Sequence, residues 1–195
     1  FEEMSDGGGD RDVTDVVYHV VNDDTAERGM PDPGRTMREV APSAPRSRGR
    51  ALATFTAHYV LGIPEYDESF NILDADATSY IGECGMGYNT KNGILQNNPE
   101  NVIALDVWLF DKTDEKQLET KTRVLISQHV LDNHLERVFG DPENPDKRPI
   151  VAVEERQFAL EGSNLVLDCT IERVGHSADG IFQDVVVEMV VSRKR

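Results

Sequence analysis

The sequence is short of cysteine, of long apolar runs and of positive charge. Two cysteines in 195 residues are too few for a disulfide scaffold, and they lack the C-x-x-C spacing of zinc or redox sites. Apolar runs such as Val185-Val186-Val187 fall far short of the roughly 20 residues that cross a bilayer. Membrane association is therefore expected only through a segment outside this chain. Phe1 is not an initiator methionine, so the chain is expected to be a processed or internal piece, with a removed signal or an upstream anchor left open. Twenty Lys+Arg stand against 36 Asp+Glu, for a net charge of −16. Such a surface repels phosphate backbones and anionic headgroups, so no nucleic acid is expected as a partner. Neither Asn-x-Ser nor Asn-x-Thr occurs, so nothing marks glycosylation. No repeat of 20 to 50 residues and no heptad pattern is present, which excludes solenoids, propellers and coiled coils.

What charge there is divides the chain. Residues 1–34 hold ten acidic and two basic residues, net −8; residues 35–50 hold Arg35, Arg38, Arg46, Arg48 and Arg50 against Glu39 alone, net +4; the remaining 13 basic and 25 acidic residues give −12. Gly7-Gly8-Gly9 and Pro31, Pro33, Pro42 and Pro45 oppose helix and strand alike. Residues 1–50 are therefore expected to form a long irregular arm that orders on docking, followed by a domain over 51–195. Within the arm only Val13–Val21, centred on Val16, Val17 and Tyr18, has the β-branched content of a strand.

From Ala51 the apolar period becomes two. Phe55, Ala57, Tyr59 and Leu61 alternate with Thr54, Thr56 and His58, the pattern of a half-buried strand. The same reading fits Tyr66–Leu73 (Tyr66, Phe70 and Ile72 inward), Ser79–Tyr88 (Tyr80, Cys84 and Met86), Val102–Phe110, Thr122–Val130, Ile150–Leu160, Leu165–Val174 and Phe182–Val191. Turn residues at Asn92-Gly93, Gly162-Ser163-Asn164 and Asp179-Gly180 separate the runs, and the second closes the clearest hairpin. About eight such strands predict an all-β, antiparallel β-sandwich. Leu131, Leu135, Val138 and Phe139, followed by Gly140-Asp141-Pro142, predict one short helix at 131–139.

The chemistry-bearing residues give no convergent pattern. A core with a tryptophan on an inter-sheet disulfide would use Cys84, Trp108 and Cys169. Leu167 occupies the place of the tyrosine that accompanies that pattern, and the 85-residue spacing is long, so two buried thiols are expected instead. Gly82–Gly87 has the wrong order for a phosphate loop and reads as a strand with close backbone neighbours. Asp6–Asp15 matches neither an EF-hand nor a calcium nonapeptide register and reads as a solvated tail. His129 and His134 are five apart, where a helical zinc pair wants three or four. No metal and no cofactor is expected.

The feature that stands out is the arginine block. Arginine forks pair bidentately with carboxylates, and intervening prolines limit the entropy lost on docking. The sequence therefore points away from an enzyme and toward a structural or interaction module of a larger assembly. Its arm (Val16, Val17, Tyr18 and the five arginines) is expected to dock on other protein subunits, copies of itself included; the plainer reading of the arginines is a linker folding back on the acidic body of its own domain, and phosphate or lipid headgroups are a third. Two alternatives are a small-molecule or carbohydrate-binding sandwich or hydrolase, with Tyr66, Tyr80, Tyr88 and Trp108 lining a groove, and the soluble domain of a membrane-anchored protein.

Overall fold

Alternating apolar residues can hide one face of a strand but not two, so the strands after Ala51 must pair two sheets face to face. The computed structural model of the chain describes residues 50–114, 116–145 and 147–194. It contains β1 (Ala51–Val60), β2 (Asp67–Leu73), β3 (Tyr80–Tyr88), β4 (Ala104–Asp111), β5 (Glu119–Ile126), β6 (Ile150–Val151), β7 (Gln157–Glu161), β8 (Leu165–His176) and β9 (Phe182–Arg193). One sheet has the order β1-β9-β8-β7 and the other β2-β3-β4-β5-β6. The expected all-β sandwich is what forms. Its inner layers meet in one core: Ala57 and Tyr59 of β1, Cys84 and Met86 of β3, Leu105, Val107 and Leu109 of β4, Leu165, Leu167 and Ile171 of β8, and Val185, Val187, Met189 and Val191 of β9. Burying each Leu, Ile or Val of this layer contributes roughly 1.5–3 kcal/mol. The arm before residue 50 lies outside the described residues.

Three details differ from the expected strands. The segment Ile150–Leu160 is not one strand: β6 pairs parallel with β5 in the five-stranded sheet, and β7 pairs with β8 in the other. The chain crosses between sheets at Ala152–Arg156, where Glu155 has φ 63°, a left-handed conformation that no strand accommodates. Strand β5 stops at Ile126, and the helical segment begins earlier than expected, as α1 (Gln128–Asp132) and α2 (Glu136–Phe139). His134, at φ 55°, interrupts the helix between them. Val130 and Phe139 are buried there in a second cluster with Ile103, Ala104 and Ile126. Finally, Tyr80 does not face inward. The β2–β3 pairing skips from Ile72↔Gly82 to Leu73↔Tyr80, and this bulge turns Tyr80 out, 38% exposed.

The turns follow the sequence. Gly162 N–H donates to Leu165 O at 2.9 Å and closes the β7–β8 hairpin. Gly180 sits at φ 74°, and a side chain there would strike the backbone of His129, so glycine is required both by conformation and by space.

Candidate functional site

Strand alternation sends a few charged side chains to special places. Leu105, Val107 and Leu109 face the core, so Asp111 at the same parity must also point inward, at the end of β4. It is 1% exposed. Its Oδ1 accepts hydrogen bonds from Thr113 N–H (3.0 Å) and Thr113 Oγ1–H (2.5 Å), and its Oδ2 from the N–H groups of Asn164 (2.8 Å) and Leu165 (2.9 Å). Burial alone would raise the Asp111 pKa; the hydrogen bonds from Thr113, Asn164 and Leu165 outweigh it and hold the carboxyl below the usual carboxylate range. Because Asp111 belongs to one sheet and Asn164 and Leu165 to the hairpin of the other, this carboxylate staples the two sheets. Gly162 leaves room for it, since a Cβ there would lie 2.6 Å from Oδ2.

Glu68 is the second inward acid, on β2 between Tyr66 and Phe70. Its Oε2 accepts from His58 N–H on β1 at 2.9 Å and from the Tyr66 hydroxyl at 3.0 Å. It bridges the edges of the two sheets.

On the outer face of the four-stranded sheet, His58 (β1), Asp184 (β9) and Arg173 (β8) meet. His58 Nε2 lies 2.7 Å from Asp184 Oδ1, Arg173 Nε donates to Asp184 Oδ2, and Arg173 Nη2 is 3.3 Å from His58 Nε2. Burial pushes the Asp184 pKa up, but the bonds from Arg173 and His58 bring it below the usual range. An imidazole oriented by a carboxylate forms two members of a nucleophilic triad. Among the described residues no hydroxyl or thiol is hydrogen-bonded to this imidazole, and the arginine joins the carboxylate instead.

Near the far end of the sandwich, His176 stacks on Phe182 with ring centroids 5.2 Å apart. It accepts the Gln128 N–H at 3.4 Å, and burial lowers its pKa, so the ring is held neutral. The cysteines Cys84 and Cys169 are both buried as separate thiols, as expected, and burial, with Glu83 nearby, pushes the Cys84 thiol up to about 12. Such a thiol is a packing group.

One cleft, of about 320 Å³, opens beside the β3–β4 connection. It is lined by Tyr88, Pro64, Ile94, Lys91, Asn97 and Glu65, among others. The Tyr88 ring is positioned by edge contacts with Tyr59 and Tyr66, at 5.9 and 6.1 Å between centroids, and its hydroxyl donates to Ile63 O. Glu65, Gln96 and Asn97 around the cleft all have φ 54°. Behind its wall, Asn89 Nδ2 donates to Asp106 at 2.8 Å, while burial raises the Asp106 carboxyl above the usual range.

The residues named from sequence are not brought together. Of the four aromatics expected to share a groove, only Tyr88 lines the cleft. Tyr66 is buried; Tyr80 lies at the opposite end with Lys112 Nζ 5.5 Å from its ring centroid; and Trp108 covers Gly85 on the outer face, where a Cβ would come within 2.7 Å of the ring. Arg50 is exposed, just before β1. Val16, Val17, Tyr18, Arg35, Arg38, Arg46 and Arg48 lie outside the described residues. Asp111 is not singled out by sequence reading, and Glu68 reads there as half of a solvated Asp67-Glu68 edge pair, although each has a signal: an acid at a position whose alternation calls for an apolar side chain. The His58–Asp184–Arg173 group had none, because its members come from three strands whose order the sequence does not state.

Among the described residues there is no group of three or more His, Cys, Asp or Glu that could hold a metal ion, and no helix is long and apolar enough to cross a membrane. In comparisons with known proteins, no family model, no curated protein and no solved structure matches the chain.

Proposed function

We propose that this chain is a non-enzymatic structural or interaction module of a larger protein assembly, docking through its N-terminal arm. The observation that carries this reading is how the reactive side chains of the sandwich are used. Asp111 is saturated by four hydrogen bonds that join the sheets, Glu68 seals an edge, and Asp184 is tied to Arg173 and His58. Groups spent on holding a scaffold have no capacity left for turnover. The function then falls to the segment whose charge is out of keeping with the rest, the net +4 block at 35–50 between stretches of −8 and −12. In this reading Val16, Val17 and Tyr18 add as a strand to a partner subunit, and Arg35, Arg38, Arg46, Arg48 and Arg50 pair with its carboxylates.

The test is native mass spectrometry of the assembly isolated from its source, with the full chain and with a chain starting at Ala51. Loss of the chain from the assembly, with an unchanged thermal melt of the sandwich, is the expected outcome. An arm-deleted chain that still enters the assembly at full occupancy would refute the reading.

The Tyr88 cleft favours a second reading, binding of a small polar ligand such as a sugar ring, because an aromatic wall beside polar side chains in about 320 Å³ suits one. Titration with simple monosaccharides, followed by amide shifts of Tyr88, Lys91 and Ile94, decides it; no shift at millimolar sugar rules it out.

A further inference from the structure

Helix α1 has five residues, and isolated helices shorter than about 12 residues are marginal in water. Its docking therefore decides whether it forms. It closes an apolar cluster, in which Val130 is buried with Ile103, Ala104, Ile126 and Phe139, while Leu131, Leu135 and Ile181 pack around them. It also lies against the turn from β8 to β9. Ser127 makes no capping bond with its side chain, so the first N–H groups of the helix find acceptors elsewhere. His129 N–H donates to Gly180 O at 3.0 Å, and Gln128 N–H donates to His176 Nε2 at 3.4 Å. His129 adds its ring, with Nδ1 2.9 Å from Asp179 O. The approach is close: a Cβ on Gly180 would lie 2.5 Å from His129 N.

The two imidazoles answer acid differently. A carbonyl only accepts, so His129 Nδ1 carries a proton and donates it to Asp179 O; protonating its other nitrogen leaves that bond intact. A backbone N–H only donates, so His176 Nε2 offers its lone pair, and the proton of the neutral ring sits on Nδ1. A second proton on His176 must go to Nε2. The ring, stacked on the fully buried Phe182 at 5.2 Å and 24°, then aims an N–H at the N–H of Gln128. One contact is indifferent to acid and the other is abolished by it. The charged and titratable side chains on the surrounding elements are His129 and Asp132 on α1, Asp179 in the turn, Asp184 on β9 and Arg173 on β8. Asp132 accepts the Gln128 side-chain amide at 2.7 Å, and Asp184 is bonded to Arg173 and His58. Among the described residues, none of these side chains is hydrogen-bonded to the His176 ring.

We infer that His176 is a proton-operated clasp: its protonation releases the first turn of α1, which frays about the His129 anchor and uncovers the apolar cluster, while the two sheets stay paired. The sheets do not need the clasp, because Ile103 N–H and Ser127 N–H keep their own backbone partners, Gly93 O and Ile103 O. The direction with pH follows from burial, which lowers the His176 pKa below the ordinary value of about 6.5. The closed clasp thus holds the neutral ring. Its contribution is complete above about pH 6.5 and is lost as pH falls through the lowered value. The inference stands apart from the docking role of the arm.

The test is amide hydrogen exchange on the full chain at about pH 7.5 and about pH 5, with rates corrected for intrinsic exchange. The reporters are the amides of Val130, Asn133 and Leu135, which donate to Ser127 O, His129 O and Val130 O. Their protection should fall at least threefold on acidification and by no more than about thirtyfold, the most that a ring titrating at about 6.5 can supply. Val187 in β9 should show no matching fall. His176→Gln, whose amide oxygen accepts the Gln128 N–H but takes no proton, should keep the protection found at the higher pH and lose the response to acid. In the wild-type chain the ring signals of His176 should titrate with the midpoint of the exchange change. Unchanged protection of α1, an equal fall at Val187, or a response that persists in His176→Gln would each overturn the inference. Should His176→Gln fail to fold, the wild-type titration decides: a midpoint more than about half a pH unit from that of the His176 ring, a threefold difference in proton activity, overturns it as well.

Discussion

The two ends of the sandwich hold the sheets together by opposite means. At one end a buried carboxylate, Asp111, collects four hydrogen bonds from Thr113, Asn164 and Leu165. At the other, the rings of Tyr59, Tyr66 and Tyr88 meet edge to edge, Tyr59 and Tyr66 with centroids 5.4 Å apart, and the main cross-sheet polar link is Glu68. The first arrangement is directional: it fixes the β7–β8 hairpin against β4. The second is packing, tolerant of irregular backbone, and it is where the cleft and its left-handed residues occur. A sandwich can thus be pinned at one end and left adaptable at the other.

Breaking the pinned end should have the largest effect. Asp111→Ala leaves the buried N–H of Leu165 and the half-buried N–H of Asn164 without their acceptor and empties the space that Gly162 keeps for the carboxylate. The expected loss is about 3 kcal/mol, read as a lower urea midpoint. A loss below about 0.5 kcal/mol, the level of an ordinary surface substitution, would remove the staple from the account. Acid sharpens the same point. The folded pKa of Asp111 lies below its unfolded value, so the stabilisation is complete above about pH 4 and drains away as pH falls through the folded value. Asp111→Asn should flatten this part of the stability–pH profile; a profile as steep as that of the wild type would assign the acid response to other carboxylates, Asp184 foremost.

The same contrast explains what could be read in the sequence. Period-two alternation in ALATFTAHYV or in FQDVVVEMVV is a local property, so the strands and the sandwich were legible, as was the Gly162-Ser163-Asn164 turn. The division of Ile150–Leu160 was not, because β6 exists only by pairing with β5, a contact between segments distant in sequence, and the crossing needs Glu155 in a conformation its residue type does not announce. The outward turn of Tyr80 depends on a bulge, which alternation cannot foresee. As for the site, an acid in an inward register is a signal, and Asp111 and Glu68 carry it. The tyrosine end has no comparable mark, since three aromatics at 59, 66 and 88 look like any other core residues until the strands are paired. The arginine block was legible as charge, but what it docks on is a property of another surface.

The smallest effect is expected at the adaptable end. The hydroxyl of Tyr59 is fully buried with no hydrogen bond of normal geometry; its polar neighbour is the Tyr88 hydroxyl, which already donates to Ile63 O. Burial, and then Tyr88, raise the Tyr59 pKa, as befits a phenol kept neutral. Removing an unsatisfied buried hydroxyl costs no hydrogen bond and relieves its desolvation, so Tyr59→Phe should leave stability within about 0.5 kcal/mol of the wild type, on the favourable side. Tyr88→Phe, which does give up a bond, is the internal comparison at about 1 kcal/mol destabilising. If Tyr59→Phe instead costs as much as Tyr88→Phe, and the double variant costs no more than either alone, the two hydroxyls form a chain ending on Ile63 O. The tyrosine end would then be pinned by directional bonds too, and the contrast between the two ends would be one of degree.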